Sequence, residues 1–133
     1  CFVENLRWAA AQAPRQSLTI EPINQEDMPG YFLSDFDAAC AIIKEVDAPN
    51  LRLQFDAYHA QKITGDVLGT WAKVADLVVH VQVGQTPDRT APDQSDIDYK
   101  GFFARLKEDG YKGWISGEYI PAGRTDLSLD WIR

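Results

Sequence analysis

Hydrophobic and polar positions along the chain switch between a helical rhythm and a strand rhythm in regular succession. Phe2, Leu6, Ala9 and Ala10 fall near helical spacing and predict a helix over 2–12, ended by Pro14. A strand over 17–21 follows, then a loop marked by Pro22, Pro29 and Gly30. Ser34 is the expected cap of a helix over 35–46, with Asp37 as a weak capping-box partner. Phe36, Ala39, Cys40, Ile43 and Val46 share one face of that helix. Ala48-Pro49-Asn50 turns the chain into a strand over 51–56. A short helical stretch around 58–63 is broken by Gly65-Asp66, and a second helix over 67–75 turns Leu68, Trp71 and Ala75 inward. A strand over 77–83 leads to a long polar loop, 84–97, which holds Pro87, Arg89 and Pro92. A helix over 99–109 buries Phe102, Phe103 and Leu106 and stops at Gly110; a strand over 113–118 and a final helix complete the pattern.

This alternation predicts an α/β fold with four parallel strands joined through helices by right-handed crossovers. Strand parity refines it. Glu21, Asp56, Gln82 and Glu118 each close a strand, and on their side lie Thr19, Arg52, Gln54, His80, Trp114 and Ser116. The opposite side carries Leu18, Ile20, Leu51, Leu53, Phe55, Val79, Val81 and Ile115, which suits a helix layer. A doubly wound sheet needs two apolar faces. One polar face suits the interior of a barrel instead, and four strands cannot close one. The pattern also begins and ends inside helical runs, which reads as a piece of something longer.

Composition narrows the partners. The chain of 133 residues is 45% hydrophobic and 25% charged, without an apolar run long enough to cross a membrane. No leader-like segment is visible at its start, and two cysteines, Cys1 and Cys40, make neither a disulfide framework nor a zinc spacing. A cytoplasmic setting is the expectation. The net charge of −7, without a basic cluster, argues against nucleic acid as a partner.

The strand ends carry the chemistry. Glu21, Asp56, Gln82 and Glu118 are spaced by 35, 26 and 36 residues, about one strand-helix unit each. In a (β/α) barrel such positions converge on the mouth where active sites form. Three carboxylates and an amide oxygen make an all-oxygen site for one divalent cation, Mg²⁺ or Mn²⁺. Such a cation, holding adjacent hydroxyl and carbonyl oxygens, stabilises an enediolate. Glu21 and Glu118 are the candidate acid/base pair for moving the proton between the two carbons. The expected chemistry is isomerisation of an α-hydroxy carbonyl compound. His59, three residues past Asp56, is a candidate for hydrogen-bonding a substrate oxygen, with a solvated or helix-capping histidine as the equal alternative. His80 reads as a buried supporting residue. Arg89 is a candidate partner for a substrate carboxylate, although a surface arginine is the plainer reading.

Several motifs together resemble the hydroxypyruvate isomerase family of the xylose-isomerase-like barrels. Glu21-Pro22-Ile23-Asn24 with Pro29-Gly30-Tyr31-Phe32-Leu33 resembles its fifth-strand region, and Leu53-Gln54-Phe55-Asp56-Ala57-Tyr58-His59 its sixth. His80-Val81-Gln82-Val83 resembles the seventh, and Gly110-Tyr111-Lys112-Gly113-Trp114 with Gly117-Glu118-Tyr119 the eighth. The resemblance implies the C-terminal half of a (β/α)₈ TIM barrel across 1–133, carrying strands five to eight. It implies one metal bound by Glu21, Asp56, Gln82 and Glu118, with Glu21 and Glu118 as acid/base. The implied activity interconverts hydroxypyruvate and tartronate semialdehyde, or isomerises a 2-oxo-tetronate. The implied partners are a small hydroxy-oxo acid and either the N-terminal half of the barrel or a second half-barrel, with a homo-oligomer as one arrangement. In related ketose 3-epimerases the third ligand is His; Gln82 favours the isomerase branch. Endonuclease relatives need a histidine-rich zinc site, which two histidines cannot supply. A catalytically silent half-barrel is the remaining alternative.

Overall fold

The computed structural model describes residues 1–93 and 96–132. Residues 94 and 95 of the predicted 84–97 loop, and the last residue of the predicted final helix, lie outside the described residues. The chain runs α1 (Phe2–Gln12), β1 (Leu18–Ile20), α2 (Phe36–Val46), β2 (Leu51–Asp56), α3 (Ala57–Thr64), α4 (Val67–Val74), β3 (Val78–Val83), α5 (Tyr99–Glu108) and β4 (Trp114–Gly117). The four strands are parallel and ordered β1-β2-β3-β4, each beside its neighbour in sequence. Four such strands alternating with helices are half of a (β/α)₈ barrel wall.

Local chemistry sets the elements, in two places differently from expectation. The cap of α2 is Asp35, not Ser34: its Oδ1 accepts the Ala38 N–H at 2.7 Å. The capping box from Ser34 to Asp37 is thus not used, because the neighbouring carboxylate is the stronger acceptor for the helix N-terminus. In α4, Val67, Thr70, Trp71 and Val74 are buried, whereas Leu68 is exposed and Ala75 falls in a following 3₁₀ turn. Two helical stripes share Trp71, and the helix has rotated towards the one containing both valines. Asp66 holds that rotation through bonds to the Gly69 N–H and the Thr70 hydroxyl.

The apolar side of the sheet packs against the helices. Phe55 sits at the centre, with ring centroids 5.6 Å from Phe36, 5.5 Å from Trp71 and 5.7 Å from Phe102. Leu53, Phe55, Val81 and Val83 have no exposed surface. On α5, Tyr99, Phe102 and Leu106 are buried while Phe103 is half-buried, stacked on Trp131. At Gly110 the backbone turns left-handed (φ 72°), a conformation glycine adopts without strain, and the helix stops there.

One irregularity shifts the predicted parity. Leu53 pairs with Val78 and Gln54 with His80, so Val79 is passed over. Val78 joins the core in place of Val79, which is only half-buried. The slip still delivers His80 and Gln82 to the polar face beside Gln54 and Asp56.

The far end of the chain also departs from expectation. After β4 it forms two 3₁₀ turns, Thr125–Ser128 and Asp130–Ile132, rather than an α-helix. Leu127, Leu129 and Trp131 recur every second residue, a spacing that gives an α-helix no single apolar face. With no helix laid over β4, Ile115 on the apolar side is 36% exposed; Trp114, paired with His80 on the polar side, is 83% exposed.

Candidate metal centre at the strand ends

Glu21 follows β1, Asp56 ends β2, Gln82 lies one residue before the end of β3 and Glu118 follows β4. Parallel pairing in register sets Asp56 beside Gln82 and Gln82 beside Ser116. The side chains then gather through two hydrogen-bonded bridges. Gln54 donates one amide hydrogen to Glu21 Oε2 at 2.7 Å and the other to Gln82 Oε1 at 2.6 Å. Arg89 donates to Asp56 Oδ2 at 2.7 Å and to Glu118 Oε2 at 2.8 Å.

Arg89 is held there by its backbone and its ring partner. Its φ of 53° is left-handed, Gln85 and Thr90 pair across the loop that contains it, and the Ile120 N–H donates to its carbonyl at 2.8 Å. Its guanidinium lies 4.8 Å from the centroid of the Tyr58 ring, and its Nε donates to the Glu118 carbonyl. Gly84 permits this crowding: a Cβ there would stand 2.8 Å from the Glu118 carbonyl oxygen and 3.3 Å from Arg89 Cγ.

Asp56 is divided between two duties. Its Oδ1 caps α3 by accepting the Tyr58 N–H at 2.8 Å, while Oδ2 faces the site. His59, one turn along α3, is buried rather than solvated. Its Nδ1 lies 2.8 Å from the Asn24 side-chain amide nitrogen and 3.3 Å from the Asn24 backbone nitrogen. His80 is half-buried, with Nε2 at 2.8 Å from the Ser116 hydroxyl.

Electrostatics set this cluster apart. Burial, then repulsion from Asp56 and Glu118, pushes the Glu21 carboxyl up to about 7, against the lowering effects of Gln54 and Arg89. Burial raises Asp56 to about 6 in spite of its contact with Arg89. Burial and the nearby Arg89 charge push His59 down to about 4, so the ring is neutral at physiological pH.

Among the described residues, Glu21, Asp56 and His59 form a candidate divalent-metal triad, with ligand atoms all within 4.8 Å of one another. Glu118 is half exposed and lies outside that triad, joined to it through Arg89. The fit to a cation rests on Glu21 Oε1, which is buried without a hydrogen-bond partner. Such an orphaned acceptor costs about 1–3 kcal/mol, and a cation would satisfy it. The oxygen-rich surroundings favour a hard divalent ion. Two residues given no role from sequence complete the cluster. Gln54 was marked only by its parity with Asp56, and Asn24 only by its place three residues after Glu21.

A half-barrel wall whose strand ends gather acidic ligands defines a class, and comparison with known proteins names the family. Residues 1–133 match the xylose isomerase-like TIM barrel family, to which the chain belongs. It is 42% identical to a 2-oxo-tetronate isomerase of Cupriavidus necator over 99% of its length and 52% of that protein. It is 36% identical to a hydroxypyruvate isomerase of Escherichia coli over 98% of its length and 52% of that protein. Among solved structures, a Brucella melitensis protein described as an AP endonuclease of family 2 superposes with a TM-score of 0.94 at 39% identity. That superposition covers 98% of this chain and 52% of the other. The chain therefore spans about half the length of the curated relatives it matches.

Proposed function

We propose that the chain supplies strands five to eight of an isomerase acting on a small α-hydroxy carbonyl acid, hydroxypyruvate or a 2-oxo-tetronate. The observation that carries this reading is the half-buried Glu21 carboxylate, whose buried Oε1 has no hydrogen-bond partner, set beside Asp56 and His59 at the strand ends. A divalent cation, Mg²⁺ or Mn²⁺, held by Glu21, Asp56, Gln82 and Glu118 would polarise the substrate carbonyl and so acidify the neighbouring C–H. Within that frame the chain's own side chains do the proton work. Glu21 and Glu118 follow the two edge strands, β1 and β4, so a substrate between them would present one carbon to each. One carboxylate removes the proton from the hydroxyl-bearing carbon, the hydroxyl proton passes to the former carbonyl oxygen, and a carboxyl group returns a proton to the adjacent carbon. Gln54 keeps the Glu21 and Gln82 side chains aligned from below. Arg89, paired with two carboxylates in the free chain, would exchange one of them for the substrate's carboxylate, a role its ion pairs support.

The names of the isomerases that match at 42% and 36% identity support the substrate class. The endonuclease description of the Brucella melitensis protein is not carried over. A net charge of −7 argues against nucleic acid as the substrate, and two histidines do not make a histidine-rich zinc centre.

Proton NMR in D₂O with Mg²⁺ tests the reading, offering hydroxypyruvate, a 2-oxo-tetronate and a neutral ketose in turn to this chain and to the chain joined to a complementary first half-barrel. Solvent deuterium appearing in isomerised acid is the expected result. Epimerisation of the ketose alone would move the protein to a ketose epimerase. Silence with all three in both forms, on folded protein, would leave a half-barrel that only associates.

A further inference from the structure

We propose that Asn24 fixes the tautomer of His59, making the imidazole a permanent N–H donor to a substrate oxygen rather than a ligand of the cation. The substrate in this statement rests on the isomerase reading above; the tautomer does not. Asn24 is 1% exposed and His59 3% exposed, so water does not compete for their contacts. The Asn24 backbone N–H points at Nδ1 from 3.3 Å, and a backbone N–H can only donate. The Asn24 side chain adds a second donor at 2.8 Å. That amide cannot be turned over, because its Oδ1 accepts the Asp27 backbone N–H at 2.9 Å while its Nδ2 also donates to Asp27 Oδ2 at 2.9 Å. Two backbone donors therefore fix the direction of the whole chain of bonds. Lys62 secures its far end, with Nζ 2.6 Å from Glu26 and 3.4 Å from Asp27.

A neutral imidazole has one donor and one acceptor nitrogen. With Nδ1 accepting, the proton resides on Nε2, which faces the site. Asp56 Oδ2 stands 3.9 Å from it, beyond hydrogen-bonding distance. A nitrogen that carries a proton offers no lone pair to a metal. His59 is thus near enough to join a metal triad yet in the wrong protonation pattern to do so. The same N–H is suited to a carbonyl or hydroxyl oxygen entering from the mouth.

Two-bond ¹H–¹⁵N correlation spectra of histidine-labelled protein test this, since the chain has two histidines and His80→Gln assigns them. The expected wild-type spectrum shows His59 protonated at Nε2, unchanged when Mg²⁺ is added. Asn24→Asp supplies an acceptor and should move the proton to Nδ1, raising KM about tenfold for one lost hydrogen bond while the His80 signals stay in place. Asn24→Ala, which keeps only the longer backbone contact, should give a mixture of tautomers. A wild-type His59 protonated at Nδ1, loss of the Nε2 proton on adding Mg²⁺, or a pure Nε2–H form in both folded variants overturns the proposal. The wild-type spectra decide alone if neither variant folds. Because tautomers are read without turnover, inactivity toward every acid would remove the isomerase reading and leave this result standing.

Discussion

A carboxylate withdrawn from water holds its proton more tightly, and Glu21 is withdrawn beside two other carboxylates. With a folded-state value of about 7 against an ordinary 4.5, its contribution to stability is complete below pH 4.5 and is lost as pH rises through 7. Asp56, raised to about 6, acts in the same direction. Without metal, the protein should therefore melt at lower temperature at pH 8 than at pH 5.5. Glu21→Gln should flatten that slope and stabilise the metal-free protein at pH 8 by on the order of 2 kcal/mol, while removing the rise in melting temperature that Mg²⁺ produces. Melting curves from pH 5 to 8 with and without Mg²⁺ check both effects. The same groups should make Mg²⁺ bind more tightly between pH 5.5 and 8 with release of protons, measurable by calorimetry in buffers of different ionisation enthalpy. At this scale the strand-end residues could be read from the sequence because each closes an apolar strand. Asn24 and Gln54 could not, since an amide's value lies in which groups it joins, and those groups lie 28 to 35 residues away in sequence.

Elements were legible where one pattern spoke alone and not where two competed. Strand 51–56 coincides with β2 because Leu51, Leu53 and Phe55 alternate cleanly with Arg52 and Gln54. In Val78-Val79-His80-Val81 the two adjacent valines leave the facing open, and only pairing with β2 decides that Val78 turns inward. Ser34 was the expected cap of α2, but the stronger acceptor, Asp35, sits one residue later and caps the helix. Asp35→Ala should accordingly cost about 1 kcal/mol, whereas Ser34→Ala should leave stability nearly unchanged. Urea unfolding of the two variants separates them. The final helix was lost for a related reason, since helical propensity without a continuous apolar stripe gives the chain nothing to pack.

For the whole molecule, half a barrel wall has consequences beyond its site. Both β1 and β4 are edge strands of the described sheet, and Trp114, Phe32 and Leu127 are each more than 70% exposed. Open parallel edges with large apolar neighbours favour association. Sedimentation velocity should show this chain self-associating as concentration rises, and Trp114→Lys should shift it toward smaller species. No helix among the described residues is long and apolar enough to cross a membrane. The fold class was legible from alternation alone, and the half-barrel from the contrast between one apolar and one polar sheet face. Neither property identifies what covers the open edges, because a sequence pattern records which faces a chain must bury and not the molecule that buries them.

The division of Asp56 has a practical consequence. One of its oxygens holds the Tyr58 amide hydrogen while the other faces the site. A change in charge at the mouth that shifts Asp56 should therefore be felt at the first turn of α3. The rate at which the Tyr58 amide exchanges with deuterium should slow or quicken as the cation and substrate come and go. A backbone proton thus becomes a built-in gauge of events at the strand ends, readable without any label at the site.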